Sequence, residues 1–261
     1  MVIYSHSRLT TFEQCPLKYK FRYLDKLQPD YENSIEAFLG QKIHSTLEWI
    51  YSHAKERSFE LDEVIKYYIN SWMQDFTSQI KVINEEYTTQ HYFNKGIRFL
   101  IDYFLKHSPF KDNTIETEKK ILFTLDVQKE YKIIGYIDRL VHNKVNNTFE
   151  IHDYKTGATK SQKELDRDRQ LAIYSLALQE YFKEVNEVFL VWHFLDTNQE
   201  KRSKRTPEEL KKLRNEIIQL INKIESTKEF NPQPSALCKW CEFRSYCPTI
   251  NNNINSEVQI R

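Results

Sequence analysis

Glycine is scarce in this chain, with four residues among 261, where average usage of about 7% would supply roughly 18. Each glycine therefore carries information, and Gly40, Gly135 and Gly157 fall beside the polar clusters described below. Long apolar runs are missing too. Nothing approaches the roughly 18 consecutive apolar residues of a membrane span, and the opening Met1-Val2-Ile3-Tyr4-Ser5-His6 has no apolar signal core. The expectation is a cytoplasmic protein with no membrane partner. An excess of one charge is also absent, since 38 Lys+Arg face 37 Asp+Glu for a net charge of +1. That balance excludes a globally basic wrapper of nucleic acid but not a local basic channel. No G-x-x-x-x-G-K-[ST] loop occurs, so the chain encodes no nucleotide-driven motor. Cysteine is limited to four residues, Cys15 alone and Cys238, Cys241 and Cys247 bunched near the end. In a reducing compartment this points to metal or cluster ligation over disulfides.

What is present is a globular composition, 40% apolar with 16 Tyr and 16 Phe, in a chain long enough for a full core. Residues 7 to 27 read as a helical collar broken by Pro16. Apolar positions then recur at helical spacing over about 34–56, 61–82 and 91–107. The pattern changes to alternation over 115–125, 131–141 and 148–154, three strands of a meander. A helix over 163–182, a strand over 187–195 and a helix over 207–224 complete an α/β arrangement. A single domain is expected over residues 1–250, with a polar, aperiodic tail at 251–261.

Polar residues gather on these elements. On the strand ending Asp153-Tyr154-Lys155, the period of two places Asp153 and Lys155 on one face. Asp138 falls in a row with Ile134, Tyr136 and Leu140, where a lone carboxylate is costly unless paired or metal-bound. On the helix beginning near Ile35, Gly40 sits one turn before His44. Gln170 and Tyr174, four apart, share a helix face. Taken singly, these are a salt bridge, a helical histidine and an amphipathic helix. Together, two carboxylates and an imidazole form a mixed oxygen and nitrogen site suited to Mg²⁺ or Mn²⁺, with Lys155 placed to act on a water.

Gly40-x-x-x-His44, Gly135-x-x-Asp138-Arg139, Asp153-Tyr154-Lys155-Thr156-Gly157 and Gln170-x-x-x-Tyr174 occur in the order and spacing of the PD-(D/E)xK nucleases, which the chain resembles in their RecB-like branch. The resemblance implies a restriction-endonuclease-like core sheet flanked by helices, with a helical N-terminal part. It implies metal ligation by His44, Asp138, Asp153 and the backbone carbonyl of Tyr154, and a catalytic lysine at Lys155. Gln170 and Tyr174 match its DNA-contacting, site-organising helix. Ile137-Asp138 stands where the family name has Pro-Asp.

Cys15, Cys238, Cys241 and Cys247 suit either a [4Fe-4S] cluster or a structural zinc. The isolated first ligand and the five-residue last gap favour iron-sulfur. One cysteine before the core and three after it is also the arrangement of the iron-sulfur RecB-like nucleases, including CRISPR-associated exonucleases and AddB-type domains. The expectation is a metal-dependent deoxyribonuclease, an exonuclease on single-stranded ends in DNA repair, recombination or CRISPR adaptation, with any unwinding supplied by a helicase or CRISPR-adaptation partner. The alternative is a non-catalytic DNA-binding subunit of a helicase-nuclease complex. Lys201 to Arg205, with Lys160, Lys163, Arg167 and Arg169, are candidates to line a phosphate-binding channel, or else form a solvated face.

Overall fold

The computed structural model describes residues 2–126, 128, 131–182 and 184–250, so the expected tail at 251–261 lies outside the described residues. The chain opens with strand β1 (Ile3–Tyr4), helix α1 (His6–Gln14) and the short helix α2 (Pro16–Tyr19), which runs into one π-helical turn at Lys20–Leu24. Pro16 occupies the first position of α2, where its missing N–H costs nothing. Strand β2 (Asn33–Ser34) leads into α3 (Ile35–His53), α4 (Leu61–Asp75), β3 (Ile80–Lys81) and α5 (Thr89–His107). Ser34 and Thr88 cap α3 and α5 with their side-chain oxygens. The helix expected over 61–82 ends at Asp75, because residues 80–81 pair with β2 instead.

Strands β4 (Thr114–Asp126), β5 (Tyr131–Asn143) and β6 (Thr148–Lys155) follow as antiparallel neighbours. The helix expected over 163–182 is two helices, α6 (Gln162–Arg167) and α7 (Gln170–Tyr181). Asp168 breaks it by taking an extended backbone and accepting a hydrogen bond from the Gln170 N–H at 2.9 Å. Strand β7 (Glu187–Phe194) lies parallel to β6, and α8 (Pro207–Ser226) closes the chain's regular core. Between them runs a strand the sequence pattern does not reveal, β8 (Gln199–Lys204), antiparallel to β7. It is a charged edge strand with no buried residue, so no apolar alternation announces it.

The six-stranded sheet has the order β1-β5-β6-β7-β8, with β4 on the other edge of β5. One edge of β5 is shared: β1 pairs with Lys132 and Ile133, and β6 pairs from Arg139 onward. Residues 134–138 lie between these two partners. One face of the sheet packs against α1, α7 and α8 through Leu9, Phe12, Ile133, Ile137, Ile151, Leu176 and Ile221. The other packs against α3, α4 and α5 through Phe38, Leu47, Tyr68, Trp72, Phe99, Tyr103 and Tyr154. The fold is thus a central sheet flanked by helices, as expected, and the fork between β1 and β6 opens into both layers. Tyr19 packs in the first core beside Phe12 and Phe230.

Candidate active site

The β5–β6 ladder ends at Arg139 and His152. Asp138 and Asp153 are the next residue on each strand, so both carboxylates stand where the strands separate. The Tyr154 N–H, freed from the ladder, donates to Asp138 Oδ2 at 2.9 Å. From α3, His44 reaches the same fork: Nδ1 is 3.3 Å from Asp138 Oδ2 and Nε2 is 2.8 Å from the Tyr154 carbonyl oxygen. From the opposite layer, α7 supplies Gln170, whose Nε2 donates to Asp153 Oδ1 at 3.0 Å while its Oε1 accepts from Lys155 Nζ at 2.9 Å. Lys155 Nζ lies 2.6 Å from Asp153 Oδ2. Asp153 and Lys155 share a face as strand periodicity predicts, and the structure adds that Gln170 bridges them.

Tyr174 sits one turn along α7, its phenol beside Gln170, and burial pushes that phenol up to about 12. A Cβ on Gly135 would stand 2.4 Å from the Tyr174 ring, so β5 needs glycine there for the ring to lie across it. Gly40 is different, since a Cβ there meets only Thr156 Oγ1 at 3.5 Å, an ordinary contact. Behind the site, the buried Arg139 donates to the Tyr154 hydroxyl at 2.9 Å and to His152 Nδ1 at 2.7 Å, and pairs with Asp112. The row carrying Asp138 is buried only in part, with Leu140 in the core and Tyr136 49% exposed.

One site residue escapes the sequence reading. Glu118 lies across from Asp138, between the pairs Thr117–Arg139 and Lys119–Ile137. Its backbone has φ 45°, the left-handed region that costs a non-glycine residue about 1–2 kcal/mol. Glu118, His44 and Asp138 each place one ligand atom within 4.8 Å of the other two. Asp153 is outside that trio, its carboxylate turned to Lys155 and Gln170.

Electrostatics follow from burial and crowding. Burial and the neighbouring Asp138 raise Asp153 from 3.8 to about 6, although Lys155 pulls it down. Burial and Asp138 likewise raise Glu118 from 4.5 to about 7. Burial disfavours the His44 charge, but contact with Asp138 outweighs it and lifts His44 from 6.5 to about 9. Protonated His44, donating from both ring nitrogens, and Lys155 thus supply the positive charge that the carboxylates need. Asp153 Oδ2 is buried against the Lys155 ammonium. Three carboxylates, an imidazole and a backbone carbonyl crowded at one fork are a donor set that fits a hard divalent cation.

All three raised groups bind protons more tightly in the folded chain than in the unfolded one. Stability of the metal-free protein therefore falls as pH rises, first through about 6 for Asp153, then about 7 for Glu118 and about 9 for His44. A divalent cation competes with the same protons, so its affinity rises over that interval. Calorimetric Tm without metal should fall from pH 6 to pH 9, while Mn²⁺ titrations show tighter binding; a pH-independent Mn²⁺ affinity would contradict these ionisations.

The basic residues are mostly engaged within the chain. Lys160 pairs with Asp168, Arg169 with Glu13, Arg202 with Glu150 and Glu200, and Lys204 with Glu187. Lys201 and Arg205 donate to backbone carbonyls of Lys160, Leu165 and Asp168. Lys163 and Arg167 are exposed on α6.

At the chain ends, Cys15, Cys238, Cys241 and Cys247 line one cavity of about 230 Å³, walled by Leu17, Phe21, Leu237 and Phe243. None of the four is in a disulfide. Backbone N–H groups of Lys18 and Gln233 donate to Cys15 Sγ, both at 3.5 Å, and that of Ser235 donates to Cys238 Sγ at 3.3 Å. The two chain ends are further joined by Lys18–Glu242 at 2.9 Å, by Arg22–Glu242 and by the Asp30 carboxylate accepting from the Ser245 N–H at 3.0 Å.

Residues 3–248 match the family model of the PD-(D/E)XK nuclease superfamily. The chain belongs to that superfamily. Among solved structures, this PD-(D/E)XK chain is similar to a protein from Eubacterium rectale named "Putative exonuclease", at 12% identity and a TM-score of 0.51, covering 91% of this chain and 86% of that one. At that identity the likeness speaks to the fold. A second solved structure, SSO0001, is 18% identical with a TM-score of 0.40, covering 81% of this chain and 95% of that one, and carries no weight. No curated protein matches the sequence. No helix among the described residues is long and apolar enough to cross a membrane.

Proposed function

We propose that this superfamily member is a metal-dependent deoxyribonuclease of the RecB-like, iron-sulfur type, acting as an exonuclease on single strands, with residues 1–250 forming one nuclease unit. The observation that carries the reading is the Asp153–Lys155–Gln170 triangle set against Asp138, His44 and Glu118 at the strand fork. His44, Asp138, Asp153 and the Tyr154 carbonyl would hold Mg²⁺ or Mn²⁺, with Glu118 as a further carboxylate. Bound there, the ion polarises a phosphoryl oxygen and makes a coordinated water more acidic. Lys155 orients the attacking water and offsets charge as the phosphorus becomes five-coordinate. Gln170 fixes Lys155 and Asp153 relative to each other, and Tyr174, packed on Gly135, fixes Gln170. A non-catalytic subunit would have no physical reason to keep so costly a buried charge cluster.

Several features of the cysteine cavity support iron-sulfur over zinc. Among the described residues, no cysteine sulfur belongs to a set of three or more ligand atoms within 4.8 Å of one another. A single tetrahedral zinc, at about 2.3 Å from each thiolate, needs sulfurs roughly 3.8 Å apart. The N–H···S bonds and apolar walls are also what a cluster uses to set its charge and exclude water.

The preference for single strands rests on how little positive charge is free. With most of the basic residues at 160–169 and 201–205 paired internally, few charges beside the site remain to neutralise phosphates, which suits a flexible strand better than a stiff duplex. Anaerobically purified protein should digest end-labelled single-stranded DNA with Mg²⁺ or Mn²⁺, stop with EDTA, and act weakly on blunt duplex. Equal rates on circular and linear single strands would replace the exonuclease reading with an endonuclease.

A further inference from the structure

Beyond the Tyr154 ring, whose centroid is 5.2 Å from that of His193, a second polar cluster lies where the end of α5 meets β7 and β8. His107, His193 and Glu200 each place one ligand atom within 4.8 Å of the other two, with His193 buried and the other two half-buried. None of them takes part in the proposed cleavage.

The hydrogen bonds around this cluster assign its tautomers. Arg139 Nη2 lies 2.7 Å from His152 Nδ1, and a guanidinium only donates, so that nitrogen carries a lone pair. His152 Nε2 accordingly bears the proton and donates to Glu150 Oε2 at 3.0 Å. His193 Nε2 stands 2.8 Å from the same His152 Nδ1, and must donate to it. The remaining nitrogen of neutral His193, Nδ1, is left with its lone pair, facing Glu200 Oε2 at 3.8 Å. That distance is too long for a hydrogen bond. Two acceptors therefore face each other across a gap with no proton between them, and His107 adds a third donor atom.

The surroundings hold these groups in place. His107 stacks on Tyr103 with centroids 4.1 Å apart, and the His193 ring lies beside that of His152, within 15° of parallel and with centroids 5.1 Å apart. Arg202 Nε donates to Glu200 Oε1 at 2.8 Å, leaving Oε2 for another partner. The nearby guanidiniums are already neutralised, Arg139 by Asp112 and Arg202 by Glu150 and Glu200. A ligand imidazole whose second nitrogen donates to a further hydrogen-bonded group is the arrangement that fixes metal-binding histidines in other proteins.

We propose that His107, His193 and Glu200 form a binding site for a divalent transition-metal ion of the zinc class, separate from the cleavage centre, that ties α5 to the β7–β8 hairpin. Two neutral imidazoles and one carboxylate select a borderline ion over Mg²⁺ and leave a fourth position for water. The site does not depend on the nuclease reading, and its test keeps the two apart.

The test uses the full chain, purified anaerobically with its cysteine site loaded, and carrying Asp138→Asn and Asp153→Asn to weaken the cleavage centre. Co²⁺ should bind with one equivalent and give a visible ligand-field absorption. Zn²⁺ should displace it and raise Tm. Glu200→Gln, which keeps an acceptor for Arg202, and His107→Gln at a half-buried position should each remove that equivalent and the Zn²⁺-induced rise in Tm. Absence of the Co²⁺ equivalent in the parent, or the same stoichiometry and Tm rise in parent and both variants, overturns the assignment.

Discussion

Asp153→Asn stops DNA cleavage, with a rate loss of about 10²–10⁴-fold, and leaves the fold standing. Burial and the neighbouring Asp138 raise the carboxylate to about 6 even with Lys155 against it, so charge there costs stability in the absence of a cation. An asparagine keeps an oxygen for Gln170 Nε2 to donate to and removes a costly buried charge, while Lys155 loses one partner but keeps Gln170 Oε1 and the nearby Asp138 charge, so the opposing effects leave Tm close to that of the parent. Lys155→Ala should lose activity over the same range through a different route. It leaves Asp153 without its ammonium partner, so the carboxyl moves further up and takes a proton, and Tm falls as pH is raised. Rates on an end-labelled single strand with Mn²⁺, set beside calorimetric Tm at two pH values, separate the two effects. Full activity in either folded variant would remove Asp153 and Lys155 from the chemistry.

Much of this site is legible in the sequence because strand periodicity is a strong constraint. A period of two fixes Asp153 and Lys155 on one face whatever the rest of the chain does, whereas the bridge that Gln170 makes between them is seen only in the structure. Glu118 is hidden for the opposite reason. With Glu116 and Lys120 it reads as the outward face of an ordinary strand. Only its position across from Asp138 and its left-handed backbone turn it toward His44. Placing it from sequence would require the β4–β5 register, which depends on a shift between Thr124 and Asp126 that local pattern does not announce. The break at Asp168 is a similar case. Apolar spacing runs through it from Leu165 to Ala172, and the competing side-chain to backbone bond decides the outcome. The basic run at 201–205 shows charge count misleading in isolation, since its residues are taken up by Glu150, Glu187, Glu200 and backbone carbonyls.

Cys15→Ser or Cys241→Ser should bleach the purified protein, remove its iron and lower Tm by roughly 10–20 °C, with smaller effects on cleavage measured well below the new Tm. The size follows from where the ligands lie. Cys15 and the C-terminal three are more than 220 residues apart, and joining such distant segments costs about 5 kcal/mol of chain entropy at (3/2)RT ln n. Salt bridges and hydrogen bonds across the junction, such as Lys18–Glu242 and Ser245–Asp30, are partly exposed and each contributes little. Ring contacts of Tyr19 with Phe230 and of Phe21 with Phe243 and Tyr246 also cross the junction, and ligation of four sulfurs that only the folded chain presents together adds its binding free energy to them, so its loss loosens α2 and the segment after α8. At about 2–4 °C per kcal/mol for a chain of this size, the drop in Tm follows directly. Iron and zinc content measured on the same samples decides the metal: about four irons per chain supports the cluster, whereas one zinc and no iron would leave the tie in place and replace the iron-sulfur assignment.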